Sequence, residues 1–217
     1  MAIAKTVFTG ATYAANAAEV YAFLNANKSG YFNSVTKDSE TNLITCTANG
    51  VDCLKLGFDS NTRSIIITAA NSTTKSNWIN DVRWEYAYAT SKGLWLYSRH
   101  TVSGTDLGMT YSVFITKTDT DKIALVSIFG GQYIGNMDFV VADVMTDNVF
   151  TVFSGGINVI FFDSGLTTLT QIPLTQNGTS YAPYLYITQF AQYRDVPSVL
   201  TVGTSQYVYD GRIALKE

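Results

Sequence analysis

The chain has 217 residues, of which only 14% are charged, against about 25% in an ordinary soluble domain. Its formal net charge is −3 at pH 7, and its fourteen Lys and Arg residues are scattered singly, which argues against nucleic-acid binding through phosphate neutralisation. One histidine, His100, and two cysteines leave few groups able to move protons or close a zinc site, so neither catalysis nor a cofactor is expected.

The first residues carry one Lys but no apolar run of signal-peptide length. The reading is therefore a protein made in a cytoplasm without a secretory signal. Residues 14–27 hold Ala, Glu, Leu, Tyr and Phe without Pro or Gly, and Ala17, Val20, Tyr21 and Leu24 recur at helical spacing. This predicts a short α-helix over 14–27, capped by Thr12 and stopped at Ser29-Gly30.

After Tyr31 the period changes to two. Residues 43–47, 51–58 and 63–69 read as three strands of a meander, joined by Asn49-Gly50 and by the polar run 59–62. A two-residue turn at Asn49-Gly50 would place Cys46 opposite Cys53, as packed thiols or as a disulfide of demanding geometry. Residues 71–77 read as a loop. Residues 83–90 and 94–100 form the next hairpin, with its turn in Ser91-Lys92-Gly93. A three-residue turn would pair Glu85 with Arg99, whereas a turn at Lys92-Gly93 would pair Tyr88 with Tyr97 and Tyr86 with Arg99.

Further strands are predicted at 111–116, 123–129, 138–145, 149–153, 157–162, 181–190, 198–209 and 212–216, with Asp210-Gly211 as a turn. Gly130-Gly131 and Ser154-Gly155-Gly156 read as breaks between strands. The apolar stretch 149–162 is too short and too interrupted to span a bilayer. Many short strands with close turn signals predict an all-β fold, sandwich or barrel-like, with one N-terminal helix. Residues 1–217 fit one domain, with a possible division into two sheets or lobes near 103–110.

Motifs that could carry chemistry are thin. His100 has no Gly-x-Ser-x-Gly elbow to serve, so a hydrolase is the weakest alternative. Asp119-x-Asp121 is followed at once by Lys122, which suits a hairpin tip better than calcium. The constellation with functional promise is aromatic. Trp84, Tyr86 and Tyr88 are read on one strand face, and Trp95 and Tyr97 share a face of the partner strand. They can be sheet core, a subunit interface or a platform for sugar rings. Trp78, in a polar stretch, is a separate interface candidate.

The opening run Met1 to Phe8, the helix through Glu19-Val20-Tyr21-Ala22-Phe23-Leu24, and the closing Tyr207-Val208-Tyr209-Asp210-Gly211-Arg212-Ile213-Ala214-Leu215 resemble virion proteins of tailed bacteriophages and prophages. The resemblance implies a β-rich, non-enzymatic subunit of a tail, baseplate, fibre or capsid-accessory assembly. It would be located in the virion, with copies of itself and other virion proteins as partners. Low charge and many rings fit a surface covered by neighbours. The alternative is a carbohydrate- or receptor-binding module meeting a host surface glycan.

Overall fold

The computed structural model describes residues 3–48, 50–58, 64–68, 74–78, 83–102, 105–131, 136–146, 149–158, 169–171, 174–176, 179–188, 197–210 and 213–217. The first half runs β1 (Ala4–Val7), α1 (Tyr13–Ala26), β2 (Ser34–Lys37), β3 (Ile44–Ala48), β4 (Val51–Leu56), β5 (Ser64–Thr68), β6 (Thr74–Trp78), β7 (Tyr86–Ala89), β8 (Gly93–Val102) and β9 (Thr105–Lys117). It continues through β10 (Ile123–Gly131), β11 (Asn136–Thr146), β12 (Val149–Asn158), β13 (Leu169–Gln171), β14 (Leu174–Gln176) and β15 (Thr179–Tyr181). The last strands are β16 (Leu185–Thr188), β17 (Ser198–Val202), β18 (Ser205–Tyr209) and β19 (Ile213–Lys216). The fold is mostly β with a single helix among the described residues, as its composition predicts. No described sheet closes into a barrel, and no described helix is long and apolar enough to cross a membrane.

A seven-stranded sheet, ordered β1-β7-β8-β9-β10-β11-β12, forms the centre. Its faces are set by strict alternation. Ala87, Leu94, Leu96, Val113, Ile115 and Leu125 point to one side, where they meet α1 and the sheet β2-β3-β4-β5-β6 in one apolar cluster. Tyr88, Trp95, Tyr97, Phe114, Ala124 and Val126 point to the other, against Leu185, Val208, Ile213 and Leu215 of the sheet β13-β16-β19-β18-β17. The strands flanking the boundary expected near 103–110, β8 and β9, are neighbours in the central sheet.

The helix forms within one residue of expectation. Thr12 is its N-cap and accepts from the Ala15 N–H, and Asn27 closes its C-terminus by donating to the Phe23 carbonyl. Ala17, Val20 and Leu24 are buried, with Phe23 and Asn16 beside them. Four differences from the sequence reading have local causes. Residues 74–78 form β6, paired with the Ile-rich β5, so backbone pairing overrides polar composition there. Ser154-Gly155-Gly156 lies inside β12, with Gly155 opposite Phe139 and Gly156 opposite Asp138. Gly130 and Gly131 likewise pair within β10. The strands β1 and β2, without alternating apolar residues to mark them, were not expected. The turn read at 59–62 and the first residues of the 71–77 loop lie outside the described residues.

Two hairpin registers also depart from expectation. Ala48 faces Val51 and Thr47 faces Asp52, but Cys46 faces Leu54, because Cys53 is the extra residue of a β-bulge. Both thiols are free and buried, and Cys53 Sγ donates to the Cys46 carbonyl at 3.3 Å. Burial pushes the Cys53 thiol up to about 12 and Cys46 upward as well. In the second hairpin Tyr86 faces Tyr97 and Tyr88 faces Trp95, a register that neither expected turn produces. Thr90 decides it. Its Oγ1 accepts from the N–H groups of Lys92 at 3.1 Å and Gly93 at 2.9 Å, closing the turn at Ser91-Lys92. Gly93 is a strand residue, required by close approach. A Cβ there would lie 2.9 Å from both the Ile115 carbonyl and Leu215 Cδ1.

Candidate functional site

The predicted aromatic platform is divided and largely enclosed. Trp95 and Tyr97 are fully buried, Tyr88 is 2% exposed and Trp84 is 3% exposed. Those four rings offer no accessible stacking face in this conformation. Tyr88, Trp95, Tyr97 and Phe114 form a ring cluster, with Trp95 and Phe114 centroids 4.8 Å apart. The Tyr88 hydroxyl donates to the Pro197 carbonyl at 2.8 Å. The Trp95 indole N–H is buried without a hydrogen-bond partner, a state that costs about 1–3 kcal/mol.

Trp84 does not share a face with Tyr86 and Tyr88. It precedes β7 and packs in the helix-side cluster. The cause is Asn16, 1% exposed on α1, whose side-chain amide donates to the Trp84 carbonyl at 2.8 Å and accepts the Trp84 N–H at 3.0 Å. That pair of bonds replaces a neighbouring strand and turns the backbone before β7 begins. A polar residue within an Ala-rich helical stripe was the available signal. Tyr86 is the half-buried member of the predicted set, and Lys5 Nζ lies 4.7 Å from its ring centroid. Trp78 ends β6 opposite Ser64, and His100 sits in β8 opposite Met109. No more than these backbone positions is described for either.

A cleft of about 320 Å³ lies elsewhere, between the end of α1 and the β7–β8 turn. Ala26, Asn27, Ser29 and Tyr31 form one wall, and Ala89, Thr90, Ser91, Leu94 and Lys117 form the other. Thr90 is committed to structure, since its hydroxyl also donates to the Lys216 carbonyl at 2.8 Å. The Ser91 N–H donates to Glu217 Oε2 at 3.3 Å. Tyr31 is pushed up to about 12 by burial and, less, by the nearby Glu217 charge. Lys117 extends across Gly30, whose built Cβ would lie 3.7 Å from its Nζ. The sequence marks Ser29 and Ser91 only as a helix stop and a turn, and gives none of these cleft residues a site role, because they come from three separate segments. Among the described residues, no three His, Cys, Asp or Glu side chains cluster as metal ligands would.

The Asp119 tip has a structural partner. Its N–H donates to the Ala182 carbonyl at 3.0 Å, and its Oδ1 accepts the Ala182 N–H at 3.2 Å. Compared with protein families, curated proteins and solved structures, the chain matches none.

Proposed function

We propose that the protein is a non-enzymatic structural subunit of a tailed-phage particle, a tail, baseplate or capsid-accessory component acting by self-association and docking. The observation that supports this reading is a margin where two strands have no outer neighbour among the described residues. The strand β1 ends the central sheet and β17 ends the sheet stacked on it. The Tyr88–Pro197 hydrogen bond ties these two margins together. Each edge strand carries a large exposed apolar side chain, Val7 at 54% and Val199 at 53%. An unpaired edge is a template for another chain, and free monomers shield it with projecting charge. Here Lys5, the one charge on β1, is drawn onto the Tyr86 ring. Low charge over the whole chain fits the same role.

Light scattering on the full chain after size-exclusion chromatography tests the reading. Concentration-dependent assembly is expected, with loss of assembly in Val7→Asp and an unchanged circular dichroism spectrum. A monomer at every concentration that also fails to bind phage particles would end it.

A further inference from the structure

The cleft at the end of α1 gathers polar groups that the fold does not use. Among the described residues, Lys117 Nζ, the Tyr31 hydroxyl, the Ser29 hydroxyl, the Ser91 hydroxyl and Asn27 Oδ1 have no hydrogen-bond partner. The remaining polar groups close by are consumed. Asn27 Nδ2 donates to Phe23, Thr90 Oγ1 serves the turn and Lys216, and Lys92 Nζ sits 4.9 Å over the Tyr184 ring. The free set is rich in donors, with one ammonium and three hydroxyls against one obligate acceptor. Ala26 on one wall and Ala89 and Leu94 on the other supply apolar lining. The volume, about 320 Å³, lies at the small end of ligand pockets.

These features select an occupant. A cation among hydroxyls calls for an anion with further oxygens. The Glu217 carboxylate, bonded to the Ser91 N–H and felt by Tyr31, penalises a second negative charge, so a monoanion is favoured over a phosphate dianion. The apolar lining suits the C–H face of a ring. We propose that this cleft binds a hydroxylated monocarboxylate of one sugar ring, a hexuronate by class, with Lys117 on its carboxylate and Tyr31, Ser29 and Ser91 on its hydroxyls. This site is separate from the valine margin, so its failure leaves the assembly reading untouched, and the reverse also holds.

Saturation-transfer NMR on the full chain with sodium glucuronate, glucose and inorganic phosphate tests the proposal. Glucuronate is expected to bind, and glucose at least about tenfold more weakly, the scale of one charge-assisted hydrogen bond. Lys117→Gln should weaken glucuronate by a similar factor, and Tyr31→Phe by a smaller one, each at wild-type melting temperature. Lys92→Gln should change nothing. Absence of a glucuronate signal at millimolar concentrations overturns the proposal. Equal binding of phosphate or of glucose, or full retention in Lys117→Gln, overturns it as well.

Discussion

The two faces of the central sheet are packed by opposite means. On the helix side the strands offer mainly small and aliphatic residues, Ala87, Ala89, Leu96 and Val113, with Tyr111 among them, and further rings come from the covering layer as Phe23, Phe32 and Phe58. On the other side the sheet offers the rings, Tyr88, Trp95, Tyr97 and Phe114, and the cover is aliphatic. Each interface therefore sets large mainly against small, the arrangement by which facing layers interdigitate. The polar accounts differ too. Asn16 on the helix side makes two bonds to Trp84, whereas Trp95 on the ring side leaves its N–H unpaired.

The ring side should be the more sensitive to truncation. Trp95→Ala removes a fully buried indole and should lose about 3–5 kcal/mol in urea unfolding. Trp95→Phe keeps most of the ring contact and deletes the orphan donor, so its loss should be well under half as large. A Trp95→Phe loss as large as that of Trp95→Ala would refute this account. The helix side should respond most to a polar change. Asn16→Ala leaves the Trp84 N–H and carbonyl buried and unpaired, a loss of about 3 kcal/mol. Asn16→Asp should be no better, since a carboxylate accepts from the Trp84 N–H but has nothing to give its carbonyl. An aspartate variant as stable as wild type would refute the two-bond account.

Much of this contrast was legible in the sequence and some was not. Alternation placed Tyr86 with Tyr88 and Trp95 with Tyr97, and helical spacing placed Ala17, Val20 and Leu24 on one stripe. What covers those residues was hidden, because Val208 and Leu215 are more than a hundred residues from Trp95. The hairpin register was hidden for a different reason. Gly93 reads as a turn residue, but its backbone has no positive φ, and its small size serves the approach of Leu215. The bulge at Cys53 leaves no mark in composition. The strands β1, β2 and β6 are short and polar, so pairing partners define them. The cleft was illegible because Tyr31, Thr90 and Lys117 meet only in the fold.

Gly93 joins the two faces, being fixed by Ile115 within the sheet and Leu215 from its cover. Gly93→Ala should destabilise by about 1–3 kcal/mol, since one contact atom is backbone and cannot rotate away. Pairing it with Leu215→Ala should recover part of the loss if the cover is the obstacle. A purely additive double variant would assign the clash to the β9 backbone at Ile115 and Thr116.

The finest contrast is between two tyrosines, one in each apolar cluster. Tyr88 donates to Pro197, so Tyr88→Phe strands a carbonyl and should lose about 1 kcal/mol at every pH below its titration. Tyr31 has no such acceptor, and Tyr31→Phe should be nearly silent at pH 7. Its effect belongs to alkali. Burial, then Glu217, hold the folded phenol neutral up to about 12, while the unfolded phenol ionises near 10. The stability tied to Tyr31 is therefore complete below about pH 10 and disappears as pH rises toward 12. Cys53, raised by burial to about 12, begins to lose its share earlier, near the ordinary thiol range of about 8.5. Urea midpoints measured from pH 8 to 12 should thus fall in two stages, and Tyr31→Phe should reduce only the second, which it shares with Tyr88, Tyr111 and Tyr186, all raised by burial. A variant that also removed the first stage would place the early loss on the phenol and take it from the thiols.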